Sequence, residues 1–391
     1  MVILLLANNG LQAQPYIPAD DDVILEQLPQ TLFPSAFVKK IRTLRTALEK
    51  EPNNWERAKE LSQTYLNLAK RQSDPRYMGY AQAVLSPWWK LKNPPAHALL
   101  LRAVILQKQH DFAAAKQDLE RVLQQQRDHP QALLTLATIE SVQADYQDAI
   151  QHCQRLLKQS SLLLSIVCQS IPLSLTGKEK LSYQLLKNVL HESQYLEQQQ
   201  RVWAWTALAE IAWRMGEPGQ AQEHFLIAFK HDENDMYLLR VYADFLLQQN
   251  RPEKVVDLID VETSSDALRL RLALAEKKLH NNSGRLDRYI AQLKARFAAN
   301  HLRGSALHQG DEARFNLWLL NKPEAALALA KQNWAVQKES SDTYILLQSA
   351  QAAGDKKMVL KVKQWLKTKG THDRLIDQIL SSDAVQNNII F

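Results

Sequence analysis

Residues 98–123, ALLLRAVILQKQHDFAAAKQDLERVL, are followed by residues 132–157, ALLTLATIESVQADYQDAIQHCQRLL, and the two stretches align at an offset of 34. Leu99 maps to Leu133, Ala103 to Ala137, Asp111 to Asp145, Phe112 to Tyr146, Ala115 to Ala149 and Leu119 to Cys153. A period of this length with helical patterning is the mark of a helix-turn-helix solenoid. Two antiparallel helices roughly 8 to 10 Å apart need small side chains where their backbones come closest, and Ala103 with Ala115, then Ala137 with Ala149, meet that need. Leu99, Leu106, Leu119 and Val122 form the apolar stripe for neighbouring helices. One unit alone cannot bury such a stripe, so units must stack.

The same pattern continues along the chain. WAWTALAEIAWRMGEPGQAQEHFLIAF (203–229) places Trp205, Leu208, Ala209, Gly216, Ala221, Phe225 and Ala228 at its key positions, and YLLRVYADFLLQQNRPEKVVDLI (237–259) repeats Ala243, Asn250 and Val255. ARFNLWLLNKPEAALALAKQNW (313–334) and TYILLQSAQAAGDKKMVLKVKQWL (343–366) align Ala326 with Val359 at an offset of 33. Gly216, Asn250, Asn321 and Gly354 share one turn slot, where a left-handed backbone ends a helix. Pro218, Pro252 and Pro323 follow as first helical residues, whereas Asp111, Asp145 and Asp355 are placed to cap the second helix with a side-chain oxygen.

This small-large pattern at 34 residues resembles the tetratricopeptide repeat. The resemblance implies an all-α, right-handed superhelical solenoid of antiparallel helix pairs, with a concave face lined by first helices that holds peptides or partner proteins. Chaperone-binding members clamp a terminal carboxylate with Lys and Asn at set first-helix positions. His97, Leu100, Val104, Gln131, Leu134 and Thr138 lack that pattern.

Some segments fit less well. Gly177, Ser182, Leu186 and Val189 suit the turn and second-helix slots, but Pro172 is expected to kink or shorten the preceding helix. Residues 266–279 and 285–302 read as a pair joined by HNNSG without a good motif match, and residues 34–85 as an atypical opening pair with one extra helix. A chain of 391 residues suggests two or three domains by length. No linker interrupts residues 35–391, however, so one solenoid is expected there.

Residues 1–13 read as a truncated signal peptide: an apolar run in MVILLLANNGLQAQ, then Leu11-Gln12-Ala13 as an approximate cleavage site. The basic start of such a segment is missing, and the alternative is an apolar N-terminus on a cytoplasmic protein. Residues 14–34, rich in Pro and Asp, are expected to form an extended arm. Cys153 and Cys168 read first as two small buried hydrophobes. A disulfide is the alternative, since export would permit oxidation and consecutive antiparallel helices can bring the two together.

Catalytic chemistry finds no foothold. HExxH, GxSxG, P-loop and glycine-fingerprint motifs are all missing; His191, Glu192 and His224 fall on helices without a partner constellation, and two cysteines without CxxC make no zinc site. The chain reads as a non-enzyme with no cofactor and no metal. No stretch reaches the ~20 apolar residues of a membrane span. Net charge is +6 with a pI of about 9.1, an excess too modest for nucleic-acid binding without a reading motif. Lys356, Lys357, Lys361, Lys363, Lys367 and Lys369 read as the solvated face of a terminal helix, with contact to lipid head groups or an acidic protein as the alternative.

The binding candidates lie at mid-chain. By repeat register, Trp203, Thr206, Glu210, Trp213 and Arg214 on one first helix stand beside Tyr237, Arg240, Asp244 and Gln248 on the next. Aromatics with Arg concentrate binding energy, and Arg214 or Arg240 would pair a carboxylate. The competing reading packs Trp203 and Tyr237 internally and leaves the charges as a solvated face. Taken together, the sequence points to a protein- or peptide-binding scaffold, periplasmic or secreted, of a bacterial cell envelope. An accessory subunit of an envelope polysaccharide or cell-wall enzyme complex and a cytoplasmic adaptor are the alternatives.

Overall fold

In the computed structural model, residues 35–72, 76–192, 197–261, 263, 265–279, 284–302 and 309–381 are described. The expected leader at 1–13, the arm at 14–34 and most of the HNNSG turn lie outside them. Among the described residues every regular element is helical. The opening block holds α1 (Ser35–Lys50), α2 (Trp55–Gln72), α3 (Arg76–Val84) and the single turn α4 (Ser86–Trp89).

Regular pairs follow: α5 (Ala96–Lys108) with α6 (Phe112–Gln125), α7 (Pro130–Val142) with α8 (Tyr146–Leu156), and α9 (Leu162–Ser174) with α10 (Glu179–Glu192). Next come α11 (Gln198–Met215) with α12 (Pro218–His231) and α13 (Met236–Gln248) with the short α14 (Pro252–Leu258). The alanines at the expected crossings, Ala103, Ala115, Ala137 and Ala149, are buried. Cys153 and Cys168, on α8 and α9, are joined by a disulfide with Cα atoms 5.5 Å apart, whereas the sequence alone favoured two unbonded small hydrophobes.

The C-terminal part holds α15 (Asp266–Leu279), α16 (Arg285–Leu302) and α17 (Gln309–Arg314), which runs straight into a π-helical turn, Phe315–Leu319. Then come α18 (Pro323–Val336), α19 (Ser340–Ala352), α20 (Lys356–Lys369) and α21 (Arg374–Ser381). One apolar core continues from Leu163 to Ile379, and smaller clusters serve the N-terminal pairs. The whole is an all-α superhelical solenoid.

Backbone geometry explains the turn slot. Gly177, Gly216, Asn250, Asn321 and Gly354 all have positive φ, and so do His110 and Ala144, which occupy the same slot 34 residues apart. Residues with a Cβ are disfavoured there, so the turn shape dominates the local preference. Asp111 and Asp355 cap their helices, accepting from Ala114 N at 3.2 Å and Met358 N at 3.0 Å. Asp145 does not cap. Its carboxylate takes Lys369 Nζ at 2.9 Å instead.

Two corrections concern helix lengths and lysines. Pro172 does not shorten its helix: α9 has 13 residues, as α7 does, because the proline falls in the last turn. Lys369 is not part of a purely solvated lysine face, since it reaches across the molecule to Asp145.

That contact is one of a set that closes the superhelix on itself. Lys338 N donates to Val142 O at 2.7 Å and His372 N to Leu175 O at 2.9 Å; Gln337 Nε2 meets His110 Nε2 at 3.3 Å and Arg374 reaches Met215 O at 3.4 Å. The turn glycines make room for this. A Cβ on Gly216 would lie 1.7 Å from the Arg374 guanidinium, and one on Gly177 would lie 3.3 Å from the His372 ring.

Candidate functional site

Ring closure leaves a partly open central chamber of about 160 Å³. One wall comes from α11 and α13, through Glu210, Trp213, Arg214, Tyr237, Arg240 and Asp244. The facing wall comes from the C-terminal part: Arg314 and Trp318 at the π-turn, Glu339, Ser340, Ser341 and Tyr344 at the start of α19, and Asp373, Leu375 and Ile376 around the start of α21. Ser141, Ile171, Leu175 and Val241 complete the lining. Six of the nine residues expected on the concave face thus meet in one place. Three do not line it. Trp203 is half-buried and packs on the core beside the disulfide, Thr206 is buried with its hydroxyl on Val202 O, and Gln248 instead accepts from the Trp213 indole N–H.

The electrostatics of the first wall are ordered by one buried cation. Arg271 on α15, fully buried, donates to both oxygens of Asp244 at 2.8 and 2.9 Å and to Asp311 at 2.8 Å. It therefore ties together the three successive first helices α13, α15 and α17. Desolvation opposes every charge here, but the facing carboxylates outweigh it: Arg271 is held above the ordinary guanidinium range, and Arg271 with Arg314 holds Asp311 well below the carboxylate range. Arg314 completes the cluster on Asp311 at 3.5 Å and donates to Ser341 O at 2.7 Å.

With Asp244 and Arg314 engaged in that cluster, the other charges meet the chamber less fully paired. Glu210 accepts from the Tyr237 hydroxyl at 3.1 Å, and burial raises its pKa. Arg240 lies over the Tyr237 ring, 5.0 Å from its centroid, and makes no hydrogen bond or ion pair with any described residue. Arg214 donates to Ser174 Oγ at 2.8 Å, but its Nε is buried without a partner among the described residues. Ser340 Oγ and Asp373 Oδ2 share that condition. Burial, then Asp342, pushes Glu339 up to about 7.

The facing wall escaped sequence reading because no repeat motif identifies it. One signal was present. Trp318 donates its indole N–H to Gln348 on the next first helix at 3.0 Å, which is the same device as Trp213 with Gln248. The π-turn supplies the local change of pitch. Lys277 Nζ caps Trp318 O there, and such turns recur at functional sites.

His224 is buried and bonded to the Tyr183 hydroxyl at 2.9 Å. Among the described residues no cluster of His, Cys, Asp and Glu could hold a metal ion, and no helix is long and apolar enough to cross a membrane.

Two stretches, residues 106–161 and 206–260, match tetratricopeptide-repeat family models. The chain carries tetratricopeptide repeats. The matched stretches cover the pairs around α6–α8 and α11–α14. No curated protein matches the chain. Among solved structures it is similar to a tetratricopeptide repeat protein from Parabacteroides merdae, with 18% identity over 66% of this chain and 91% of that one, at a TM-score of 0.42. It is also similar to yeast Tom70, with 9% identity over 89% and 87% of the two chains, at a TM-score of 0.43. Tetratricopeptide repeats suggest a protein-interaction scaffold.

Proposed function

We propose that this tetratricopeptide-repeat protein is a non-enzymatic scaffold of a bacterial cell envelope that engages a partner segment through the inner wall of α11 and α13. The observation that carries the reading is Arg240: a guanidinium stacked on Tyr237 and facing the chamber, within the field of Asp244 and Glu339 but with no ion pair to an acidic side chain among the described residues. Guanidinium forks recognise carboxylates bidentately, and an aromatic beneath the cation adds attraction of about 0.5–2 kcal/mol. Because the chamber is small, only the tip of a segment enters it. The disulfide supports the envelope placement, since such bonds persist in oxidising compartments, and so does the signal-like run at 1–13.

Two measurements test this. Partners captured from the native host by the wild-type chain are compared with those captured by a Trp213→Ala, Arg240→Ala variant of unchanged helicity. Selective loss of the same few proteins is expected, and an identical profile removes the wall assignment. Mass spectrometry of the mature N-terminus is expected to show cleavage after Ala13; an intact Met1 removes the envelope placement.

A further inference from the structure

We propose that the central chamber binds a free α-amino acid with an apolar side chain, its carboxylate on Arg240 and Arg214 and its ammonium on Asp373 and Glu339. The inference rests on the chamber being a binding site, and it names a small effector in addition to any protein partner.

The polar atoms left over from the protein's own pairing divide by wall. On the α11–α13 side the donors without a hydrogen-bond partner among the described residues are Arg214 Nε, which is buried, and the half-buried Arg240 guanidinium, which only the Tyr237 ring and the field of Asp244 and Glu339 engage. Across the chamber, at the entries to α19 and α21, an unsatisfied group is an acceptor: the Asp373 carboxylate, whose Oδ1 caps Leu375 N at 2.9 Å while Oδ2 has no partner among the described residues. Glu339 stands on that same side, and Ser340 Oγ can serve either end. Buried polar groups are ordinarily satisfied, and each one left unsatisfied costs about 1–3 kcal/mol. Glu210, Asp244 and Arg314 also line the chamber but are engaged by Tyr237, Arg271 and Asp311, so what remains, unpaired donors on one side and the Asp373 carboxylate on the other, is the complement of a zwitterion.

Size and lining set the rest of the ligand. A cavity of about 150 Å³ accepts a benzene-sized group, so the 160 Å³ here suits one amino-acid side chain and excludes a folded segment. Ile171, Leu175, Val241, Leu375 and Ile376 supply apolar surface, with Trp213 and Trp318 beside them. These aliphatic residues offer a polar side chain no hydrogen-bonding group, and the two indole N–H groups are already engaged by Gln248 and Gln348. The bound amino acid would also fasten α19 and α21 to α11 and α13, because its two charges are met from opposite walls.

Isothermal titration calorimetry on the purified full chain tests this with leucine, N-acetyl-leucine, leucinamide and inorganic phosphate. Leucine is expected to bind, with N-acetyl-leucine and leucinamide each at least tenfold weaker and phosphate without measurable heat. Arg240→Ala should abolish leucine binding, and Asp373→Asn should weaken leucine at least tenfold while leaving the residual affinity for N-acetyl-leucine unchanged. N-acetyl-leucine binding as tightly as leucine would overturn the proposal in favour of a peptide terminus. Phosphate binding as tightly would overturn it in favour of a plain anion site, and silence with leucine, valine and phenylalanine at millimolar concentration would overturn it outright. If amino acids fail to bind while Arg240→Ala still loses its protein partners, this inference falls and the scaffold reading stands; binding of leucine with an unaltered partner profile has the opposite meaning.

Discussion

The pair α11–α12 and the stretch from α15 to the π-turn do similar structural work by opposite means. In α11, Ala204, Ala207, Leu208, Ala209, Ile211 and Ala212 are buried, and in α12 Ala221, Phe225 and Ala228 are. Apolar packing dominates that pair, as repeat patterning requires, with Trp205 against the His224 ring and Gln198 donating to His231 O. Along α15, Arg269, Arg271 and Glu276 are buried among Leu270, Leu272, Ala273, Leu274 and Ala275, and Arg271 joins α13 to α17 through Asp244 and Asp311. Where the repeat loses its motif, a charge network replaces the lost geometry. The chamber stands where the two kinds of packing meet.

The strongest way to break this contrast is Arg271→Ala. It strands Asp244 and Asp311 without their cation, and losing one member of a buried ion cluster costs about 3–5 kcal/mol. Urea unfolding followed by circular dichroism should show that loss; a change below about 1 kcal/mol would mean the network is dispensable. Ala221→Leu attacks the other region. Overpacking a crossing of this kind costs about 1–3 kcal/mol, and the same assay should show it without any change in the pH dependence of stability.

The third and smallest effect concerns the closure. Burial beside Asp342 pushes Glu339 up to about 7 in the folded chain, above the ordinary carboxyl value of 4.5. Between those two values the folded state holds a proton that the unfolded chain has released. Stability therefore falls as pH rises through that window. Glu339→Gln should flatten the decline and leave the variant more stable above pH 7, by on the order of 1 kcal/mol. Parallel melting profiles for the two proteins from pH 4.5 to 8 would remove Glu339 as the source.

The sequence made the fold legible because the repeat is written in local terms: Ala103 and Ala137 at crossings, Asn250 and Asn321 at turns, Pro218 and Pro252 at helix starts. One wall of the chamber was legible for the same reason, since Glu210, Trp213, Arg214, Tyr237, Arg240 and Asp244 follow from register. The other wall was not. Glu339, Ser340 and Asp373 sit at helix entries whose position depends on how far the superhelix turns, a sum of small rotations that no single motif records. Trp203, Thr206 and Gln248 share the register but do not line the chamber: register gives the face of a helix, but whether that face meets the chamber or a neighbouring helix depends on curvature. The role of Asp145 was hidden similarly, because its partner Lys369 lies 224 residues away.

Ring closure alters how the molecule should come apart. A repeat array is ordinarily one-dimensional, each unit answering only to its neighbours, so it can fray from either end. Here Gln337 reaches His110 across 227 residues, and Lys338, Lys369 and His372 grip α7, the turn before α8, and the end of α9. The C-terminal pairs therefore have two sets of neighbours, one along the chain and one across it. Joining distant parts adds little entropy cost once the intervening units are stacked, because the chain between them is already ordered. Its cooperativity is that of a hoop, in which release of the last helices also loosens the α7–α9 region far behind them.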